Sequence, residues 1–106
     1  MNGAEAAWAA LDEPWREAFR QAWSAVRSGS IGVGAVVSDR SGRIVRSSRN
    51  RVCDAEAPGG EISGSSLAHA EINALARLPF RAPRELVLTT RSSPVCRWHR
   101  LRLDGA

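Results

Sequence analysis

The 106-residue chain has few cysteines, no lysine and no long apolar run, and each absence narrows the class of protein. Two cysteines, Cys53 and Cys96, are too few for a disulfide framework, so we expect reduced thiols and a cytoplasmic location. No stretch approaches the roughly 18 apolar residues of a membrane span, so no membrane partner is expected. The N-terminal segment "MNGAEAAWAALDEPW" has neither a basic start nor a continuous apolar stretch and does not fit a secretory signal.

Charge is distributed unevenly along the chain. All 15 basic residues are arginine, and the net charge is +4. Residues 1–90 hold 11 arginines against 10 acidic residues, whereas residues 91–106 hold 4 arginines and 1 aspartate. Residues 1–90 therefore carry nearly equal numbers of positive and negative charges, a pattern that is typical of a solvated surface. The basic tail leaves RNA binding open, although the composition does not require it.

The spacing of apolar residues predicts two main helices and three strands. An N-cap at Asp12 and helical spacing from Pro14 to Arg27 predict an amphipathic helix whose apolar stripe lies in the core: Trp15, Ala18, Phe19, Ala22, Trp23 and Val26. Residues 31–38 and 43–50, separated by "DRSG", predict a hairpin. A long loop (51–66), a helix (67–78) and a strand (85–90) follow.

This order of elements predicts one α/β layered domain. In the second helix we expect inward positions at Leu67, Ala70, Ala74, Leu75 and Leu78. The passage from strand to helix to strand favours a parallel pairing of the third strand with strand 1 or strand 2.

His69-Ala70-Glu71 begins the second helix and has two interpretations. A histidine can bind zinc, and a glutamate that stays off the metal can carry a proton in hydrolysis. Residues two apart do not share a face within a helix, so the pair can act together only if His69 lies at the first turn. The alternative is a half-buried histidine at a helix start, with Glu71 complementing the helix dipole.

Three segments together resemble the cytidine and deoxycytidylate deaminase superfamily, nearest to its nucleoside, guanine and tRNA-adenosine deaminase branch. They are "VGAVVSDRSGRIVRSSRNRV", "AHAEINAL" and "LVLTT", within a likeness that runs from about Trp15 to Thr90. The resemblance implies a three-layer α-β-α domain and zinc-dependent hydrolytic deamination of a nucleobase, nucleoside or nucleotide. It implies His69 as a zinc ligand and Glu71 as the proton carrier.

The resemblance also implies a substrate pocket. The first strand would line it at Val33, Gly34 and Ala35, and Asn50, which closes the second strand, would contact the base. The alternatives are close backbone packing at Gly34 and an ordinary strand-end turn at Asn50. Transfer RNA stays open as a partner, and a homodimer is expected.

The second motif of the family, Thr-Leu-Glu-Pro-Cys-x-x-Cys, is missing. Its place is taken by "TTRSSPVCRWHRLRLDGA". An alignment on Cys96 gives Cys96-x-x-His99, which with His69 and water would make a legitimate catalytic zinc set. The alternative is that the Cys96 thiol and the His99 ring do not come together at a metal. The residues by themselves favour this alternative.

We therefore divide the chain into a deaminase-like domain (1–90), incomplete at its C-terminus, and a divergent tail (91–106). A frameshift would explain the tail, because "RSSPVC" encoded as CGC TCG AGC CCT GTC TGC reads Leu-Glu-Pro-Cys-Leu two bases later, with codons chosen to allow it. Three functions compete: a deaminase, an inactive deaminase remnant, and a non-enzymatic module that binds nucleic acid or a protein partner.

Overall fold

A computed structural model describes residues 2–79, 81 and 85–92 of the chain. In chain order its elements are α1 (Gly3–Ala10), α2 (Glu13–Arg27), β1 (Val33–Ser38), β2 (Ile44–Arg49), α3 (Ala70–Ala76) and β3 (Val87–Ser92). The expected order of helix, hairpin, helix and strand is confirmed. Among the described helices, none combines the length and apolar character needed to cross a membrane.

The three strands form one antiparallel sheet in the order β2-β1-β3. Gly34 of β1 lies opposite Arg49 of β2 on one side and Arg91 of β3 on the other. The expected parallel pairing of the third strand is wrong. After β2 the chain passes through α3 and enters the sheet again on the far side of β1. Strand β3 therefore runs parallel to β2, but β1 lies between them. Strand β3 is hydrogen-bonded to β1, which is antiparallel to both.

Helices cover both faces of this sheet. A Cβ atom placed on Gly34 would lie 2.1 Å from the carbonyl oxygen of Ala18, so Gly34 faces α2. Its neighbours Val33 and Ala35 pack with Ala70 of α3. Because successive strand residues point to opposite faces, α2 and α3 lie on opposite sides of the sheet. The α/β class and the three layers are thus present in the described residues.

The core is built from small side chains, which corrects part of the expected apolar stripe. Ala18 and Ala22 of α2 are buried as expected, but the Trp15 and Trp23 residues are 38% and 53% exposed. The close approach of α2 to Gly34 leaves room for alanine, not for an indole, at the contact. The Trp15 and Trp23 rings therefore lie beside the contact between α2 and the sheet, not within it.

The start of α3 also differs from the expectation. The helix begins at Ala70, three residues later than expected, so Leu67 lies in the preceding loop and is 65% exposed. Leu75 is 46% exposed, whereas Ala70 and Ala74 are fully buried against β1. Alanine at these two positions allows the helix to lie close to the sheet.

Candidate functional site

His69 and Glu71 meet where α3 begins. His69 is the N-cap residue of α3, with extended backbone angles (φ −73°, ψ 152°), and Glu71 lies in the first turn. Nδ1 of His69 is 3.2 Å from Oε1 of Glu71, and each side chain is about one third exposed. The extended backbone at the N-cap turns the His69 side chain toward Glu71, which a regular helix would not do. The geometric condition for a joint role is therefore met.

Two backbone hydrogen bonds bring the end of β2 to the same edge of the sheet. The amide N–H of Asn50 donates to the carbonyl oxygen of Val33 (2.9 Å), and the N–H of Arg51 donates to the oxygen of Ala68 (2.9 Å). The carbonyl of Ala68 directly precedes His69. We call Val33, Asn50, His69 and Glu71 the α3 entrance.

The side chain of Asn50 leaves a donor unused. The residue is 1% exposed, and its Oδ1 accepts the N–H of Val52 at 3.0 Å. Its Nδ2 is buried and has no hydrogen-bond partner among the described residues. Exchanging the two amide atoms would set a donor against the Val52 N–H, so the orientation is fixed. A buried donor without an acceptor costs about 1–3 kcal/mol, so an acceptor paired with Nδ2 would stabilise the domain.

The three residues expected to line a base pocket divide between the two faces of β1. Val33 and Ala35 are buried on the face that carries α3. Gly34 faces α2, and the space beside its Cα is filled by the backbone of that helix, in agreement with the packing interpretation. A contact of the Gly34 backbone with substrate stays a prediction.

A buried network of charges holds the long loop, and sequence reasoning missed it. The carboxylate of Asp54 accepts hydrogen bonds from Arg49 Nη2 (2.6 Å), Arg51 Nη1 (3.0 Å) and Ser30 Oγ (2.7 Å). Burial of Asp54 opposes its ionisation, but the hydrogen bonds from Arg49, Ser30 and Arg51 and the positive charge of Arg49 together outweigh burial and hold the pKa of this carboxyl below its usual value. The loop after β2 is thereby tied to the end of α2.

Glu61 ties the second half of the loop. Its side chain is 2% exposed and accepts from Arg51 Nε (3.0 Å), from Arg77 Nη1 (3.3 Å) and, through a short bond, from the hydroxyl of Ser48. Arg51 thus joins both acidic groups, while its backbone holds Ala68. The only available sequence signal was an arginine at a strand end followed by acidic residues in the loop.

Asn73 fixes the loop to α3. This buried side chain accepts the N–H of Ile62 at Oδ1 (2.7 Å) and donates from Nδ2 to the oxygen of Ile62 (3.1 Å). Because the Asn73 amide pairs with both backbone groups of Ile62, it fixes the position of Ile62 along α3. The loop therefore reaches His69 in a defined position.

The described residues do not by themselves make a metal centre. Among them, no three His, Cys, Asp or Glu side chains are grouped so as to hold a metal ion. A catalytic zinc typically takes three protein ligands, and His69 is the one expected ligand that the described residues supply. The other two, Cys96 and His99, lie outside the described residues.

Two cavities lie away from the α3 entrance. One, of about 520 Å³, lies between the start of α2, the β1–β2 turn and β3. The other, of about 590 Å³, lies between α1, α2 and β3. Neither of these two cavities is lined by His69 or Glu71.

Comparison of the sequence with protein-family models gave no match, and comparison with curated proteins gave none either. The deaminase resemblance therefore stays a prediction that depends on the three sequence segments. The geometry of the α3 entrance bears on it independently of those segments.

Proposed function

We propose that the chain is a zinc-dependent hydrolytic deaminase of a nucleobase, nucleoside or nucleotide, with the α3 entrance as its site. One observation supports this function above the others. A histidine and a glutamate in contact lie at the same sheet edge as a buried amide donor, Asn50 Nδ2, that has no partner among the described residues.

Glu71 would carry the proton. Hydrolytic deamination needs a group that accepts a proton from the attacking water and delivers it to the departing amine. The Glu71 carboxylate is 36% exposed, so a substrate can reach it, and its 3.2 Å contact with Nδ1 of His69 holds it beside the proposed metal ligand. When bound, zinc supplies an acidified water at neutral pH. His69 alone does not hold such an ion, and its other ligands would come from outside the described residues.

Asn50 would orient the base. Its Oδ1 is fixed by Val52, and its buried Nδ2 would donate to a carbonyl oxygen or ring nitrogen of a nucleobase once neighbouring groups of the α3 entrance move to admit it. Binding of such an acceptor would remove the cost of the unpaired donor, which is a gain specific to the bound state. Arg51 supports both groups, because its backbone N–H holds Ala68 next to His69 and it directly follows Asn50.

A deaminase-like domain without activity is the second candidate. It is favoured by the presence of a single expected zinc ligand, His69, among the described residues. The two candidates differ in metal content and in turnover, and they share the fold.

Release of ammonia tests the proposal. The zinc-supplemented chain is incubated with cytosine, cytidine, deoxycytidylate, adenosine, guanine and transfer RNA, and ammonia is measured by a coupled assay. We expect release with one of these substrates and its loss in Glu71→Gln. Glu56→Gln, an exposed loop glutamate, is the matched control and should keep full activity. Release that survives in Glu71→Gln would remove Glu71 from the mechanism, and an inactive wild-type chain would favour the second candidate.

A further inference from the structure

The second cavity lies on the α2 side of the sheet, opposite to the face that carries α3. Its volume is about 590 Å³, and its walls include Trp8, Leu11, Trp15, Phe19 and Arg91. Small-molecule sites typically measure about 300–1,000 Å³ and are mostly apolar with few polar groups. The cavity fits that description in size and in composition.

Aromatic rings line this cavity without filling it. The rings of Trp8 and Phe19 are tilted by 55° with centroids 6.1 Å apart, a separation typical of aromatic pairs in contact. Trp8 and Trp15 nevertheless remain 40% and 38% exposed. Helix α1 buries none of its own residues and meets α2 through Trp8, which contacts Phe19 and Arg20, so apolar ring surface stays exposed beside α2.

Among the described residues, Arg91 is a cation without an ion pair at this apolar surface. The guanidinium of Arg91 is 5.0 Å from the centroid of Phe19 and has no ion pair among the described residues. Arg20, which lies over Trp8 at 5.7 Å, differs because it forms a salt bridge with Glu13 at 2.7 Å. A guanidinium offers two parallel donors that match a carboxylate, and a stacked guanidinium keeps these donors available at its edge.

We propose that this cavity binds a flat apolar monoanion, an aromatic carboxylate, with its ring against the indoles and its carboxylate on Arg91. The charge requirement follows from the Arg91 guanidinium, which has no ion pair among the described residues, and the flat shape follows from the partly exposed indoles of Trp8 and Trp15. The site is separate from the α3 entrance, because the sheet lies between them, and it is independent of the proposed deamination.

Titration with 2-naphthoate tests the proposal, with neutral 2-naphthalenemethanol as the matched ligand. Calorimetry gives the dissociation constant, and the indole N–H signals of Trp8 and Trp15 in nitrogen-15 NMR give the location. We expect saturable binding of naphthoate and about tenfold weaker binding of the alcohol, as for loss of one charge-assisted hydrogen bond. The Trp23 signal should stay in place, since Trp23 does not line the cavity.

Variants separate the charge from the fold. Arg91→Gln should reduce the affinity for naphthoate about tenfold and leave that for the alcohol unchanged, whereas Arg91→Lys should keep most of the preference for the anion. Arg40→Gln, another exposed arginine, should change neither. Equal affinity for the two ligands, an unchanged Arg91→Gln variant or absence of saturable binding would overturn the proposal. Shifts of Trp8 and Trp15 that depend on protein concentration without ligand would overturn it in favour of a second copy of the chain.

Discussion

Replacement of Glu61 by alanine should be among the most destabilising single changes in the loop. The Glu61 side chain is 2% exposed and accepts from Ser48, Arg51 and Arg77. Without it, the buried Ser48 hydroxyl loses its acceptor, at a cost of about 1–3 kcal/mol. Loss of one partner from a buried ion pair costs about 3–5 kcal/mol.

The structure places the expected value at the lower end of this range. Arg51 keeps its second partner, because its Nη1 is 3.0 Å from Asp54, and Arg77 is exposed enough to be solvated. We therefore expect a decrease of about 3 kcal/mol in the free energy of unfolding. A domain of this size has about 5–15 kcal/mol in total, so the loss is easily measured.

Urea unfolding followed by far-ultraviolet circular dichroism measures this loss. Glu85→Ala is the matched control, because its 3.1 Å salt bridge with Arg40 joins two side chains that are 65% and 77% exposed. Such a surface pair contributes about 0–1 kcal/mol. If the two variants unfold with free energies within about 1 kcal/mol of each other, the loop is not held by its buried charges and the reasoning is refuted.

Three further changes test the packing and the loop. Gly34→Ala should cost about 3 kcal/mol or prevent folding, because the new Cβ would lie 2.1 Å from a carbonyl oxygen of α2, whereas Gly59→Ala, with no atom within 4 Å, should leave the thermal midpoint unchanged. The folded-state pKa of Asp54 is lowered, so its stabilisation is present above the unfolded value near pH 4 and is lost as the pH falls through the folded pKa. Urea midpoints of Asp54→Asn should consequently fall less steeply than those of the wild type below about pH 4, and equal slopes would contradict this. Asn73→Ala should cost about 1–3 kcal/mol and speed hydrogen exchange at the amide of Ile62, and an equally protected amide would show that Asn73 does not hold the loop.

Local patterns in the sequence were sufficient for the main elements. The apolar spacing from Pro14 to Arg27 predicted α2, which begins one residue earlier, and the turn "DRSG" predicted the β1–β2 hairpin. Both signals act between residues close in the chain. The pairing of β3 was not predictable in this way, because it depends on the side of the sheet at which the chain returns after α3.

The candidate site was predictable in its residue types but not in its support. His69, Glu71 and Asn50 were recognisable from three quoted segments, and the structure brings them to one edge. The pairing of Arg51 with Asp54 and Glu61 depends on the path of a long loop, which carries no periodic signal. The exposure of the α2 tryptophans depends on the close approach at Gly34, which apolar spacing alone does not report.

Zinc content tests the central claim, that His69 and Glu71 belong to a deaminase site, most directly. The chain and its variants are purified with zinc present, dialysed, and measured by inductively coupled plasma mass spectrometry. A working deaminase site needs further ligands from outside the described residues, for which Cys96 and His99 are the candidates. With them we expect about one zinc per chain in the wild type and in Glu71→Gln, since Glu71 carries protons and is not a ligand, and loss of zinc in His69→Ala. Clearly sub-stoichiometric zinc in the wild type, or zinc that persists in His69→Ala, would contradict the account.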